Sequence, residues 1–367
     1  MAQNDLLFNQ PLKLNAYAKI NLFLEVIRRL PDGYHEIMTL FSSVDLCDTM
    51  SFYLSKNECA ADFLLKLFKI NFKKPQCASV MMVPENIKFT MIADEENEKC
   101  LSVPLDKSNT VIIALKKLMA SVPFQKPPDP VNFYMIFQKN IPAGAGLGGG
   151  SSDAAVSLVA ASKLLGLGLD AVALKPIGRQ AGADIPFMLE GGCCSAGGAG
   201  ERFINSYDIP ASPMIIVYPN FEVSSKDAYV NVQNHFKKNL SEITANEARK
   251  TEEDILVKID ALVNAISSGK FDAIAPSLFN RLEDPVLTKK HQIKEIRDTL
   301  VQMGYRATLM TGSGSAVFTL LDPSETPEAH AAHFEKIQTE IKRKFSRTYR
   351  VFLTKTRKAM EWEKMLS

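Results

Sequence analysis

The feature that most constrains this chain is a glycine-rich stretch at residues 141–155, Ile-Pro-Ala-Gly-Ala-Gly-Leu-Gly-Gly-Gly-Ser-Ser-Asp-Ala-Ala. Because glycine has no Cβ, backbone of this kind can turn tightly and bring its N–H groups against a ligand. Residues 154–165 are mostly apolar and are followed by Gly166, which predicts a buried helix with residues 151–153 as its N-cap and first turn. A glycine-rich turn leading into a helix N-terminus favours phosphate, so the first hypothesis is a nucleotide phosphate site.

Other glycine motifs fit less well. Gly144, Gly146 and Gly149 satisfy the dinucleotide-binding pattern GxGxxG, and Asp170 lies about twenty positions further on. In a dinucleotide fold that acidic residue ends a second strand, whereas Asp170 is predicted to start the next helix. The Walker pattern is absent because no Gly-Lys-Ser/Thr follows the glycines. A purely structural turn stays open as the alternative.

Composition narrows the class of protein. The 367 residues predict two domains, and 43 basic against 41 acidic residues give a net charge of +2, which offers no argument for nucleic acid or an anionic membrane. The six cysteines show no CxxC spacing, which suits free thiols and argues against a metal site. Since neither a signal peptide nor a long apolar run is seen, we expect a soluble cytoplasmic protein.

Lys19 and Asn21 lie on the polar face of an alternating stretch, residues 12–27, which predicts a half-buried strand or pair of strands. The period of two places their side chains next to each other, near enough to contact one ligand. Taken alone, a solvated surface lysine is the more common explanation. A functional role is therefore assigned to Lys19 only if a second residue is found that acts with it.

A Pro-Asp-Gly turn at residues 31–33 precedes Tyr34 and His35. These two side chains can stack on and hydrogen-bond a base, or simply pack against the next segment, and the residues alone favour neither. Residues 37–54 predict a strand pair. Residues 55–108 lack regularity and are interpreted as an elaborated insertion.

The chain then enters and leaves the glycine stretch through regular elements. A helix is predicted over residues 109–120 with Ser108 as its N-cap, and a strand over residues 131–137. Beyond the buried helix, Asp184 lies among small and apolar residues and precedes Pro186 by two positions. Proline is common at helix starts, so Asp184 is expected at or next to an N-cap, or at a functional site.

A second domain is predicted after a junction at residues 210–213, giving domains 1–210 and 211–367. A strand at residues 214–218 begins it. Helices are predicted at 226–238, 246–267, 289–303 and 326–344, and further strands at 307–310, 316–321 and 349–353. This β-α-β-β-α-β order with extra helices is the ferredoxin-like arrangement. Residues 311–315, Thr-Gly-Ser-Gly-Ser, are either a hairpin loop or a second contact for an anion.

Together these motifs resemble the GHMP kinase superfamily. The resemblance rests on Ala18-Lys-Ile-Asn-Leu-Phe-Leu24, Asp32-Gly-Tyr-His35, Pro142 through Ala155, Gly182-Ala-Asp-Ile-Pro186 and Thr311-Gly-Ser-Gly-Ser315. It implies an α+β, two-domain GHMP kinase fold, with an N-terminal α/β domain like ribosomal protein S5 domain 2 and a C-terminal ferredoxin-like domain. The motif Asp32-Gly-Tyr-His35 further implies ATP-dependent phosphorylation of the 2-hydroxyl of 4-diphosphocytidyl-2-C-methyl-D-erythritol, a step of isoprenoid precursor synthesis.

The resemblance also implies a role for each motif residue. Asp184 is expected to be the catalytic base and Lys19 its charged neighbour, because a cation beside a carboxylate favours its ionised form. ATP with Mg²⁺ is expected on Pro142, Gly144, Gly146, Leu147, Gly148, Gly149, Gly150, Ser151 and Ser152. The sugar-alcohol substrate is expected on Asn21, Tyr34, His35, Asp184, Ser225 and Tyr229. No protein metal ligands are assigned.

The sequence departs from the family pattern at a few positions. Tyr17 stands where proline is usual, Ser225 stands where threonine is usual, and segment 55–108 is longer than typical. The alternatives are another GHMP small-molecule kinase such as a mevalonate or homoserine kinase, a non-catalytic ligand sensor of the same fold and, more remotely, a dinucleotide oxidoreductase. The oligomeric state is left open.

Overall fold

The computed structural model describes residues 7–362 and 365, except 32, 83–85, 96–103, 124–126, 128, 234–238 and 346–348. Its larger sheet contains β1 (Leu12–Arg29), β2 (His35–Ser55), β3 (Pro75–Met82), β4 (Ile87–Asp94), β5 (Val131–Gln138), β6 (Cys193–Gly197), β7 (Arg202–Tyr207) and β9 (Phe279–Asn280). A smaller sheet contains β8 (Pro213–Tyr218), β10 (Thr308–Met310), β11 (Val317–Leu320) and β12 (Arg350–Lys355).

The helices pack on these two sheets. Those before β8 are α1 (Ala61–Leu67), α2 (Thr110–Ser121), α3 (Gly149–Leu164), α4 (Ala171–Arg179) and α5 (Ile185–Glu190). Those after it are α6 (Ser225–Gln233), α7 (Ala245–Ser267), α8 (Phe271–Ile274), α9 (Glu283–Lys289), α10 (His291–Gln302) and α11 (Pro327–Lys344). The helices and the two sheets together give an α+β architecture, as expected.

The larger sheet has the order β3-β4-β5-β2-β1-β9, with β6 paired to β2 and β7 to β6. β1 and β2 are long antiparallel partners whose register shifts three times, once just before Lys19. The prediction that residues 37–54 form a strand pair was wrong, because β2 is continuous over 21 residues. From Ala18 to Leu24 both faces of β1 are buried, so Lys19 lies in the interior.

The segment 55–108 contains regular structure where the sequence pattern indicated irregularity. β3 and β4 form a hairpin, and β4 pairs in parallel with β5, so both strands extend the larger sheet. α1 precedes them and buries Leu64 and Leu65. The remainder of the segment includes residues outside those described.

Two helix starts differ from the prediction. Asn109, not Ser108, caps α2, because its side chain accepts a hydrogen bond from the backbone N–H of Val111. α3 begins at Gly149, and Gly148 in the left-handed conformation is its N-cap. The hydroxyls of Ser151 and Ser152 therefore lie inside the first turn. Glycine replaces a side-chain cap here because φ is +72°.

The smaller sheet has the antiparallel order β10-β11-β8-β12, which is the ferredoxin-like order predicted from the sequence. The predicted helix over 289–303 is α10, which spans His291–Gln302, and α9 ends directly before it at Lys289. The predicted helix over 226–238 is α6, which begins at Ser225, and its residues 234–238 lie outside the described part.

The two halves share structure across residue 211. β9, from the second half, pairs in parallel with β1 at Phe23 and Leu24. One apolar core cluster combines β1 and glycine-stretch residues such as Ile20 and Leu147 with residues of β8, α7 and β11 such as Ile216. In the described part of the chain, no helix has the length and apolar character needed to cross a membrane.

Candidate active site

A cavity of about 1110 Å³ lies where the glycine stretch, β1, α6 and the loop 311–315 meet. Fourteen of the residues predicted to bind a ligand line it: Lys19, Asn21, Tyr34, His35, Pro142, Gly144, Gly146, Gly148, Gly149, Gly150, Ser151, Asp184, Ser225 and Tyr229. Leu147 and Ser152 do not line it, and both are buried. The fold thus brings residues from distant parts of the sequence to one cavity.

The glycine stretch lines one wall and is packed without spare room. Gly144, Gly146 and Gly148 have φ values of +58°, +78° and +72°, which side chains strongly disfavour. A Cβ on Gly146 would lie 2.3 Å from the carbonyl oxygen of Thr311, and one on Gly148 would lie 2.3 Å from Met188 Cε. Glycine is therefore required both by the backbone conformation and by the close approach of the 311–315 loop.

Lys19 and Asp184 form the charged centre of the cavity. Lys19 Nζ lies 3.7 Å from Asp184 Oδ2, and the two side chains are 6% and 32% exposed. Lys19 Nζ donates a hydrogen bond to Asn21 Oδ1 at 2.8 Å and lies 5.4 Å from the centre of the Phe41 ring. The ammonium is held in the interior, while the carboxylate keeps access to the cavity.

Asn21 is oriented by its own hydrogen bonds. Its Nδ2 donates to Thr39 Oγ1 at 2.8 Å, and Thr39 Oγ1 in turn donates to the carbonyl of Phe23 at 2.7 Å. Its backbone N–H donates to Thr311 Oγ1 at 3.1 Å. These bonds orient Asn21 Oδ1 towards Lys19. The two residues predicted to be neighbours on β1 are therefore in direct contact.

An aromatic pair closes the other end of the cavity. The rings of His35 and Tyr229 stack at 5.2 Å between centroids with 22° between their planes. Burial, with the nearby Arg29 charge, lowers the pKa of His35, so its imidazole is neutral at neutral pH. Burial and then the Asp184 charge raise the pKa of Tyr229, which keeps its hydroxyl protonated. Tyr34 is 53% exposed, with the Arg179 guanidinium 5.6 Å from its ring centre.

A buried ionic triad lies under the glycine stretch. Lys139 Nζ donates hydrogen bonds to Asp48 Oδ2 and to Asp153 Oδ2, and all three side chains are at most 6% exposed. Asp48 Oδ1 also accepts from the backbone N–H of Ile141 at 2.8 Å. Burial, reinforced by the Asp48 charge and opposed by Lys139, raises the pKa of Asp153 to about 7. The triad joins β2, the end of β5 and the N-terminal part of α3.

Comparisons with known proteins identify the family of this chain. The family models "GHMP kinases N terminal domain" and "GHMP kinases C terminal" match residues 109–192 and 260–344. A relative from Caldicellulosiruptor bescii, named 4-diphosphocytidyl-2-C-methyl-D-erythritol kinase, is 32% identical over 84% of this chain and 88% of its own. The chain belongs to the GHMP kinase superfamily. A Nostoc relative of this GHMP kinase, with the same name, is 30% identical over 94% of this chain and 95% of its own.

Solved structures show the same relationship. A 4-(cytidine 5'-diphospho)-2C-methyl-D-erythritol kinase aligns with this GHMP kinase at a TM-score of 0.61, with 26% identity over 94% of this chain and 99% of the other. A mevalonate kinase from L. major aligns at a TM-score of 0.64 but with only 11% identity over 98% and 99% of the two chains, and it shows the fold alone. Family membership makes the chain an ATP-dependent kinase.

Sequence reasoning missed some cavity residues of this kinase. Lys226, Val230 and Gln233 line the cavity beside Tyr229, because spacings of three and four place them on one face of α6. The helical spacing around Tyr229 is the sequence signal that could have identified them. Thr39 and Phe41, which contact Asn21 and Lys19, carried no local signal because they come from β2 across the strand register.

The donor set for a divalent cation is sparse in this GHMP kinase. Over the residues that the structure describes, no group of three or more His, Cys, Asp or Glu side chains is placed to hold a metal. The hydroxyl-bearing Ser151 and the carboxylate Asp184 do line the cavity. Such a set fits Mg²⁺ that is bound mainly through nucleotide phosphate oxygens and water, which is common for this ion.

Proposed function

We propose that this kinase transfers the γ-phosphoryl group of ATP to the 2-hydroxyl of 4-diphosphocytidyl-2-C-methyl-D-erythritol, a step in making isoprenoid precursors outside the mevalonate route. One observation carries the proposal. A single cavity holds the Lys19–Asp184 pair, the glycine stretch and the His35–Tyr229 stack. The names of relatives that align over most of this chain support the choice of substrate.

Asp184 acts as the general base in this proposal. Its carboxylate is the partly exposed member of the charged pair, so it can accept the proton of a hydroxyl that enters the cavity. Lys19 offsets negative charge on the transferring phosphoryl group, and Asn21 orients the ammonium for that purpose. Phosphoryl transfer depends mainly on such positioning and electrostatics.

The glycine stretch binds the ATP phosphates. Backbone N–H groups of a left-handed glycine turn and of the first turn of α3 are donors for anions, and the helix dipole adds positive potential. Bound Mg²⁺ supplies charge neutralisation at the phosphates. Residues 1–210 then form the ATP-binding and catalytic domain, and residues 211–367 the second domain.

The aromatic end binds cytosine. His35 is neutral, so one ring nitrogen donates and the other accepts, which suits the mixed donor and acceptor edge of this base. Tyr34 and Tyr229 offer ring faces for stacking, and Ser225, whose hydroxyl lies 2.9 Å from that of Ser313, contacts the linking groups. Mevalonate and homoserine have no ring that requires such a pair.

The test is a coupled assay of ADP release with Mg-ATP and the cytidyl substrate. We compare wild type with Asp184→Asn and Lys19→Met, and expect each variant to lose about a hundredfold or more of kcat while keeping its folded Tm. Mevalonate and homoserine serve as competing acceptors.

Each result of this assay has a defined meaning. Turnover of one of the other alcohols with none of the cytidyl substrate would contradict the assigned substrate and leave the kinase class intact. ATP binding without ADP release from any acceptor would support a ligand sensor. Full activity in Asp184→Asn would remove the base from the mechanism.

A further inference from the structure

The segment 356–362, here called the strap, follows β12 and runs from the smaller sheet back across the larger one. Thr356 forms an antiparallel bridge with Val44, and its backbone N–H donates to the carbonyl of Ser212 at 3.0 Å. The N–H of Arg357 donates to the carbonyl of Ser43 at 3.0 Å. The strap is therefore built into the fold by backbone hydrogen bonds.

The far end of the strap holds the last turn of α5. The N–H of Met360 donates to the carbonyl of Glu190 at 3.0 Å, and Trp362 Nε1 donates to the carbonyl of Leu189 at 2.8 Å. The last carbonyls of a helix have no partner within the helix, so these donors satisfy groups that would otherwise need water. α5 is only six residues long and begins directly after Asp184.

Two glycines after α5 allow the strap to approach closely. A Cβ on Gly191 would lie 2.7 Å from Met360 Cγ, and one on Gly192 would lie 3.0 Å from the nitrogen of Ala359. Gly191 also pairs with Ala359 as an antiparallel bridge. The contact between the strap and the end of α5 is thus close-packed along several residues.

The near end of the strap contacts β1. The guanidinium of Arg357 lies 3.3 Å from the centre of the Tyr17 ring, and Tyr17 precedes Lys19 by two residues. Ser43, which accepts the hydrogen bond from Arg357, lies opposite Lys19 in the register of β1 and β2. The strap consequently contacts both elements that carry the charged pair.

The carboxylate of Asp184 has little local support of its own. It makes no helix-capping hydrogen bond, and its ion pair with Lys19 spans 3.7 Å. Its position therefore follows that of α5 as a whole. A displacement of about 1 Å at a reacting group can cost about a hundredfold in rate.

We propose that the strap is a positioning element for phosphoryl transfer, in which Trp362 fixes the placement of Asp184 relative to Lys19 through the end of α5. This inference rests on the proposed role of Asp184 as base. Trp362 acts through the helix and is a positioning residue. It is also the single tryptophan of the chain.

The test is a double-mutant cycle on the full chain with Trp362→Phe and Asp184→Asn. Phenylalanine keeps an aromatic ring against the core, and it removes the N–H donor together with part of the indole volume. We expect Trp362→Phe to lower kcat about tenfold, with KM for ATP and for the acceptor changed less than twofold. In the Asp184→Asn background, measured by single turnover, the same substitution is expected to have no further effect, because the group that it positions is gone.

Thr326→Ala is the matched control. This substitution removes the N-cap hydrogen bond of α11, which lies away from the cavity. We expect it to lower the Tm about as much as Trp362→Phe does and to leave kcat unchanged. A fall in Tm with unchanged kcat in Trp362→Phe would overturn the proposal. An equal loss of kcat from Trp362→Phe in the wild-type and Asp184→Asn backgrounds would also overturn it, even with Asp184 confirmed as base. Full activity in Asp184→Asn would instead refute the proposed role of Asp184 as base, and the positioning role of Trp362 with it.

Discussion

Asp153 shows how burial changes the chemistry of a single residue. From the sequence, it was expected in the N-cap or first turn of the helix, yet its carboxylate lies in the interior beside Lys139 and Asp48. One ammonium faces two carboxylates there, so the three groups together carry excess negative charge when both acids are ionised. A raised pKa for one acid is the physical result.

Asp153 therefore predicts a pH dependence of stability. Its pKa is about 7 in the folded protein against an ordinary value of 3.8, so the folded state binds more protons between these values. This contribution to the free energy of unfolding is full below about pH 4 and is lost as the pH rises towards 7. Between pH 5 and pH 8, we expect the Tm of wild type to fall by several degrees relative to the Tm of Asp153→Asn.

The control for this prediction is Thr326→Ala, whose Tm difference from wild type should be the same at both pH values. A pH-independent difference for Asp153→Asn would show that Asp153 is ionised throughout this range. Removing the charge also tests whether the triad supports the glycine stretch, because KM for ATP can be measured in the same samples.

Tyr229 carries a prediction about binding. Its ring stacks on His35, and base stacking on an aromatic ring contributes roughly 1–3 kcal/mol. Tyr229→Ala should raise KM for the cytidyl substrate about tenfold or more and leave KM for ATP unchanged. Tyr229→Phe keeps the ring and should remain within about threefold of wild type. Equal effects of the two variants would contradict stacking and point to the hydroxyl.

At the scale of elements, the glycine stretch and the 311–315 loop act as one unit. The N–H of Ala316 donates to the carbonyl of Ala145, and the carbonyl oxygen of Thr311 occupies the space where a side chain on Gly146 would lie. The cavity wall formed by the glycine stretch is thus shaped by residues from both halves of the chain. A substitution in the glycine stretch is therefore expected to alter the conformation of the 311–315 loop, and a substitution in that loop to alter the glycine stretch.

Gly146→Ala tests this packing. The new Cβ would meet a backbone oxygen at 2.3 Å, which cannot move aside as a flexible side chain does. We expect KM for ATP to rise about tenfold or more, along with a loss of Tm. Gly168→Ala is the matched control, because Gly168 has a similar φ of +67° but nothing within 4 Å of the added Cβ. If both variants bind ATP alike, backbone strain alone explains the effect.

At the scale of the whole molecule, the two sheets are joined by β9, by a shared apolar core and by the strap. Asn280 on β9 is buried and donates to the carbonyls of Met310 at 2.7 Å and Gly312 at 2.8 Å. It accepts in turn from the N–H of Leu282 at 3.0 Å. One side chain thus ties the larger sheet to the loop that shapes the cavity.

These links predict cooperative unfolding of the two domains. In urea, far-UV circular dichroism and Trp362 fluorescence should give the same midpoint. Asn280→Ala leaves two buried carbonyls unpaired and should lower the free energy of unfolding by about 2–4 kcal/mol, with both probes still coincident. Separate midpoints would show that the domains unfold independently. Asn205→Ala, at an exposed position on β7, is the control and should have little effect.

Much of the site followed from local sequence signals. Glycine spacing predicted the turn before α3, alternation placed Lys19 beside Asn21, and Pro186 predicted the helix start at Asp184. Short-range patterns report such features because each depends on backbone conformation within a few residues. The length of β2 was missed because burial on both faces of a strand hides where it ends. The cap of α2 was missed because two neighbouring polar residues, Ser108 and Asn109, are both plausible caps.

By itself, the sequence determined the kinase class, the two-domain order of elements and many of the residues that line the cavity. Only the tertiary structure decided which of them meet: Lys139 with Asp48, His35 with Tyr229, and the strap with α5. Those contacts join residues tens to hundreds of positions apart. The reason is physical, because they depend on strand register, helix packing and the exclusion of water, which arise when the whole chain folds and leave no periodic trace in the sequence.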